Sequence, residues 1–201
     1  MHAAPKTVVL ADALWASITA LQCPAALGMG FVVPVPCAAT VRSDLATVVL
    51  DRLQDAGNVG SVLRSAAAFG FTQIVALKGS AALWSPKVLR AGMGAHFALR
   101  LIEGLAEDGG DVLDALLPMP LLVTDVHGGE FLHRAALPWP CAWVLGHEGQ
   151  GVSSALQARA AQRIRIVQPG GQESLNVAAA AAICLHASAV ARSVERAFGP
   201  S

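Results

Sequence analysis

Charge is scarce in this sequence. Only 14% of its 201 residues are Asp, Glu, Lys or Arg, and 14 basic residues balance 14 acidic ones. That balance excludes a protein that coats nucleic acid by net charge alone, while an enzyme with a local basic patch stays compatible with it. Cysteine is scarce too. Cys23, Cys37, Cys141 and Cys184 form no CxxC pair and no Cys/His cluster at zinc spacing. A disulfide scaffold is thereby excluded, and reduced thiols in a cytosolic protein are expected. The stretch Met1 to Lys6 lacks the charged region and apolar run of a signal peptide. Two uncharged stretches, 13–41 and 174–191, imitate membrane spans. Pro24, Gly28, Gly30, Pro34 and Pro36 break the first, whereas the second is mostly alanine with Asn176, His186 and Ser188. Both read as core or interface, so no membrane role is expected.

What is abundant is apolar residues, 54% of the chain. That excludes intrinsic disorder, and the length suits one domain with a small appendage. So few charges over so much apolar sequence imply that a second subunit covers part of the surface. Strand-like runs alternate with helical patterns. The strands are expected at Ala46–Leu50, Gln73–Leu77, Ala95–Ile102, Pro120–Thr124, Cys141–Leu145 and Arg163–Val167. Helices are expected over Asn58–Phe69, where Val59, Val62, Leu63, Ala66 and Ala67 make one apolar face, and over Pro86–Arg90, Asp111–Leu117, Ser153–Ala161 and Leu175–Ala197. Asn58 is expected to cap the first of these and Gly70 to end it. This alternation predicts an α/β fold with a mostly parallel sheet and helices on both faces. Residues 1–42 read as a short N-terminal segment holding a helix over about Asp12–Leu21, apolar runs Val8–Leu10 and Met29–Val35, and a Pro/Ala-rich linker Pro34–Thr40. Residues 43–201 form the main domain.

Three segments carry chemistry. In Asp55 to Ala66, a strand-to-helix turn with Gly57 and Gly60 leads into a helix bearing Asn58 and Arg64. In Val144 to Ser153, three glycines in six residues, Gly146, Gly149 and Gly151, surround His147 and Glu148 at a strand end. The GxxGxG order is not the dinucleotide fingerprint, and the absence of GK[ST] excludes a P-loop. In Ile166 to Ala178, a Gly/Pro loop enters the last helix, with Ser174 expected as its N-cap and Asn176 in its first turn. Each segment alone is compatible with an ordinary loop or helix cap.

In this order and spacing the three segments resemble the signature motifs of the SpoU (TrmH-like) family of RNA ribose 2′-O-methyltransferases, over roughly Asp44 to Ala197. The segment Ser85 to Ala95 adds a fourth, lesser element. The resemblance implies a SPOUT fold with a C-terminal deep trefoil knot, a homodimer, S-adenosylmethionine (AdoMet) as cofactor and an RNA substrate, tRNA or rRNA, with no metal. It carries catalytic roles to Arg64, Asn58, Ser174, Asn176 and Glu148, and cofactor contacts to Gly146, Ile166, Leu175, Thr124 and Gly151. The family's Arg64 counterpart is assigned as general base. A guanidinium stays protonated in nearly any protein setting, so holding phosphate and stabilising a developing alkoxide is its cheaper role. Glu148 is expected to shape the loop and the interface, with favouring the cationic sulfonium as its alternative role.

The chain departs from the family pattern in places. Ala56 follows Asp55 where Pro is usual, and Val167 and Gln168 stand where Pro and Met are usual. His147 replaces Asn or Ser, and Gly92 replaces Ser. These departures bear on cofactor-loop geometry and affinity, with the polar catalytic set intact. Residues 1–42 resemble only the last part of an RNA-binding domain found in many members. RNA grip is then expected from Arg42, Arg52, Lys78, Lys87, Arg90, Arg100 and the dimer. Two competing readings are a non-catalytic RNA-binding or ribosome-assembly dimer on the same fold, and an unrelated nucleotide-binding α/β enzyme.

Overall fold

The computed structural model describes residues 8–18, 32, 40–105, 114, 118–126, 128–170 and 175–198. The chain divides into two units, Met1–Pro36 and Cys37–Ser201. The first contains helix α1 (Asp12–Ile18). The expected run Met29–Val35, apart from Val32, and most of the linker lie outside the described residues, and Val8–Leu10 has no regular structure.

The second unit is built on a seven-stranded sheet of parallel strands: β1 (Thr47–Leu50), β2 (Gln73–Leu77), β3 (Arg100–Leu105), β4 (Leu121–Thr124), β5 (Glu130–Phe131), β6 (Ala142–Leu145) and β7 (Gln162–Arg165). Their order across the sheet is β3-β2-β1-β6-β4-β7-β5. Helices α2 (Ala56–Phe69) and α3 (Pro86–Gly92) connect the first strands, α4 (Ser154–Ala158) precedes β7, and α5 (Val177–Phe198) closes the chain. Alternate strand residues divide between the two faces. Val48, Leu50, Ile74, Trp143 and Leu145 pack with Leu63, Ala66, Cys184 and Leu185. Val49, Val75, Val144 and Val123 pack with Val152 and Leu156 on the other. Burial on both faces explains why these strands read as continuous apolar runs. Trp143 Nε1 donates to Ser188 Oγ at 2.9 Å and so ties α5 to β6. Burial pushes the Cys141 thiol up to about 12, with a hydrogen bond to Ser188 offsetting part of it, and pushes Cys184 up to about 12. Both are protonated core groups at neutral pH.

Several expected elements need correction. The α2 cap is Asp55, whose side chain accepts from the Asn58 N–H at 2.7 Å, so Asn58 sits in the first turn. Gly70 ends this helix in the left-handed region, as expected. The run expected as a strand over Ala95–Ile102 begins as a 3-10 turn, Ala95–Ala98, and the strand starts only at Arg100. Left-handed Met93 and Gly94 turn the chain there. His96 turns inward to Leu83 O at 2.8 Å while Phe97 is exposed. A Cβ on Gly92 would lie 2.5 Å from the His96 ring, which accounts for glycine there. The helix expected over Asp111–Leu117 lies outside the described residues, apart from Asp114. Among the described residues no helix is long and apolar enough to cross a membrane.

Candidate active site

Chain order and sheet order diverge between β1 and β6, and loops at the carboxyl ends of neighbouring strands converge on one side of that point. In open α/β sheets this is where ligands bind. Thr124 ends β4, Gly146 follows β6, and Ile166 follows β7. Together with Gly151, Leu175, Glu148 and Asn176 they line a cavity of about 850 Å³. All five residues expected at a cofactor thus line the cavity, with two of the five expected in catalysis.

The 146–153 loop folds back on itself. His147 and Gly151 exchange backbone hydrogen bonds, N–H to O at 3.1 and 2.8 Å. That return brings the Gly151–Val152 peptide so close that a Cβ on Gly146 would lie 2.2 Å from it, so only glycine fits. The N–H groups of Gly149 and Gln150 donate to His147 Nδ1 at 2.9 and 3.2 Å. Nδ1 is thus an acceptor and the ring proton sits on Nε2. A short polar side chain could brace the turn in the same way, so the histidine departure is compatible with the loop.

Two residues hold this loop, Asp51, which the sequence reading missed, and Arg52, to which it gave another role. Asp51, fully buried at the end of β1, accepts from the Ser153 N–H at 2.6 Å. Arg52 donates to Asp51 at 3.0 Å and to Gln150 Oε1 at 2.9 Å, from a left-handed backbone with φ 61°. Arg52 was expected to grip RNA; the structure commits it to the loop. Arg42 is likewise bonded to Asp44, at 2.9 Å, and Arg100 to the Thr40 carbonyl, at 2.7 Å.

A polar chain through Asn58 links two of the lining residues, Glu148 and Asn176. Glu148 Oε1 accepts from Asn58 Nδ2 and from the Asp55 N–H, each at 3.3 Å. Asn176 Nδ2 donates to Asn58 Oδ1 at 3.0 Å, and Asn176 Oδ1 accepts from the N–H groups of Ala178 and Ala179 at 2.9 and 3.2 Å. Asn176 is therefore the N-cap of α5, correcting the assignment to Ser174, which lies outside the described residues. Burial pushes the Glu148 carboxyl up. Hydrogen bonds from its own backbone, Asn58 and the backbone of Asp55 and Gln54 outweigh it and hold the carboxyl below the ordinary value. Ala56 takes the first helical position, where Pro is tolerated but not needed.

Arg64 stands apart. It is exposed on α2, does not line the cavity, and makes no hydrogen bond or ion pair among the described residues. Among those residues no cluster of three or more His, Cys, Asp or Glu side chains is placed to hold a metal ion.

The sequence model of the SpoU rRNA Methylase family matches residues 46–186. A 23S rRNA (uridine(2479)-2'-O)-methyltransferase of Streptomyces viridochromogenes is 31% identical over 153 residues, 73% of this chain and 53% of that protein. The 23S rRNA (guanosine(2553)-2'-O)-methyltransferase RlmP of Bacillus subtilis is 29% identical over 178 residues, 89% of this chain and 70% of that protein. The crystal structure of the SpoU methyltransferase AviRb from Streptomyces viridochromogenes, in complex with AdoMet, superposes with a TM-score of 0.69 at 29% identity, covering 76% of this chain and 62% of that one. The chain thus spans about half the length of the first of these relatives.

Proposed function

The chain belongs to the SpoU rRNA Methylase family, and we propose that it is an AdoMet-dependent RNA methyltransferase acting on a ribose 2′-hydroxyl, with ribosomal RNA as the favoured substrate. The observation that carries the reading is the cavity at the strand ends, bordered by the chain of Glu148, Asn58 and Asn176. Its residues fit the cofactor. Ile164, Ile166, Leu175 and Val177 offer apolar walls to a heterocycle, Glu148 and Asp125 offer negative charge to a cationic group, and the glycine loop offers backbone. AdoMet, when bound there, supplies the activated methyl group.

The chain's own residues supply position and charge. Asn58 and Asn176 fix each other and the start of α5, which keeps polar groups oriented beside the cavity at no reorganisation cost. Arg64, cationic and unpaired among the described residues, is the group to hold a substrate phosphate and to stabilise negative charge on the ribose oxygen. Ser174 belongs to the same proposed set. Because Arg64 joins none of the cavity's hydrogen bonds within one chain, a homodimer that brings a second copy's surface to the site is part of the reading. The outer face of α5 supports this. Ile183 and Val190, one heptad apart, are 41% and 47% exposed. A deep C-terminal knot and a cytoplasmic location complete the proposal, the latter supported by bacterial 23S rRNA relatives.

The test is incubation with labelled AdoMet and unmodified 23S rRNA or bulk tRNA. Transfer to RNA supports the reading. AdoMet binding without transfer to any RNA favours a non-catalytic RNA-binding dimer, and absence of AdoMet binding overturns the proposal.

A further inference from the structure

The wall of the cavity formed by the end of β7 and the residues that follow it has a regular pattern. Ile164, Ile166 and Gln168 line it at alternate positions, while Arg165 and Val167 between them do not. Gln168 is thus the polar end of an otherwise apolar wall. Its amide oxygen is buried and has no hydrogen-bond partner. Among the described residues it is the one buried side-chain polar atom lining the cavity that lacks a partner. The neighbouring polar groups are engaged within the protein. His147 Nδ1 braces its own turn, Asn176 caps α5, Gln157 Nε2 donates to Val152 O at 2.8 Å, and Thr124 Oγ1 to Val144 O at 3.4 Å. A buried acceptor without a donor disfavours the empty cavity and favours any ligand that brings an N–H to that point.

Resting on the AdoMet reading above, we propose that Gln168 is a specificity-determining residue: its amide reads the edge of the adenine ring, the oxygen accepting from the exocyclic amino group. AdoMet carries three kinds of donor. Its ammonium is drawn to the carboxylates lining the cavity, Glu148 and Asp125. Its ribose hydroxyls can donate or accept and do not demand an acceptor. The adenine amino group is a neutral donor on a flat apolar ring, and it matches a neutral amide at the end of an isoleucine wall. A carboxamide also pairs with adenine through two hydrogen bonds, one to the amino group and one from its own N–H to the ring nitrogen beside it.

The experiment is isothermal titration of the full chain with AdoMet and with the analogue carrying hydrogen in place of the exocyclic amino group. Wild type is expected to prefer AdoMet by about tenfold, the scale of one hydrogen bond. Gln168→Met, of similar volume, is expected to bind both ligands alike, whereas Gln168→Glu keeps an acceptor and keeps the preference. Equal binding of the two ligands by wild type overturns the proposal, and that arm needs no variant to fold. An undiminished preference in Gln168→Met also overturns it. Failure of wild type to bind AdoMet at all is a distinct outcome, which removes the cofactor reading on which this one rests.

Discussion

Asn176 and Asn58, 118 positions apart in sequence, meet through one hydrogen bond of 3.0 Å. The contact fixes the start of α5 against the start of α2, and it does so beside a cavity that neither helix could build alone. Asn176 serves twice, since its oxygen also caps α5. Asn176→Ala is therefore expected to lower stability by about 1 kcal/mol, the usual worth of such a cap, and to weaken methyl transfer. Asn176→Asp keeps the cap and loses the donor to Asn58, so stability stays near wild type while transfer falls. Urea unfolding and a transfer assay on both variants separate the two roles.

Gly146 makes a sharper prediction. A Cβ there would lie 2.2 Å from backbone atoms, which cannot retreat as a flexible side chain could. Gly146→Ala is expected to open the 146–153 loop and to raise the AdoMet Kd at least about tenfold. Its near-UV circular dichroism should stay native, because the buried strands do not depend on the loop. Calorimetric titration checks the affinity.

The low-lying carboxyl of Glu148 sets a pH dependence. Its folded pKa is depressed below an ordinary 4.5, so its contribution to loop order is present above that value. The contribution is lost only as pH falls through the lower, folded value. AdoMet affinity is thus expected to stay flat from about pH 8 to 5 as far as Glu148 is concerned, with its acid loss beginning below 4.5. Glu148→Gln, which cannot ionise, should lack that part of the acid limb. Affinity measured against pH for both proteins gives the difference.

Arg64 is exposed and outside the cavity, so its removal should spare cofactor binding. Arg64→Ala is expected to cut kcat by roughly 10²–10³-fold, the range for losing one stabiliser of developing negative charge, with the AdoMet Kd unchanged. Arg64→Lys retains a charge but no planar fork. Appreciable activity in that variant identifies a charge role, whereas loss equal to the alanine variant identifies bidentate binding or proton abstraction.

Much of this architecture was legible because both faces of the sheet are buried, which writes β6, and β1 and β2 beyond their first residues Thr47 and Gln73, as apolar runs. The three polar segments were legible because glycines crowd where backbones must approach. Other features are invisible to local pattern. Asp55 and Asn58 are equally good caps, and only the observed bond to the Asn58 N–H decides between them. The Asp51–Ser153 bond spans 102 positions and leaves no periodic trace. Strand β5 has two residues, too short for alternation to register. The run after Gly94 has strand-like composition, yet buried His96 turns it into a 3-10 segment first. Arg52 looked like one more surface cation until its partners Asp51 and Gln150 came into contact with it.

The most direct measurement is where a transferred methyl group ends up. Ribosomal RNA labelled from AdoMet by the wild-type protein is hydrolysed in alkali, which needs a free 2′-hydroxyl to break each adjoining phosphodiester bond. Label recovered in alkali-resistant dinucleotides, and absent with Arg64→Ala, is the predicted result. Label in mononucleotides would mean a base rather than a ribose is methylated and would contradict the account.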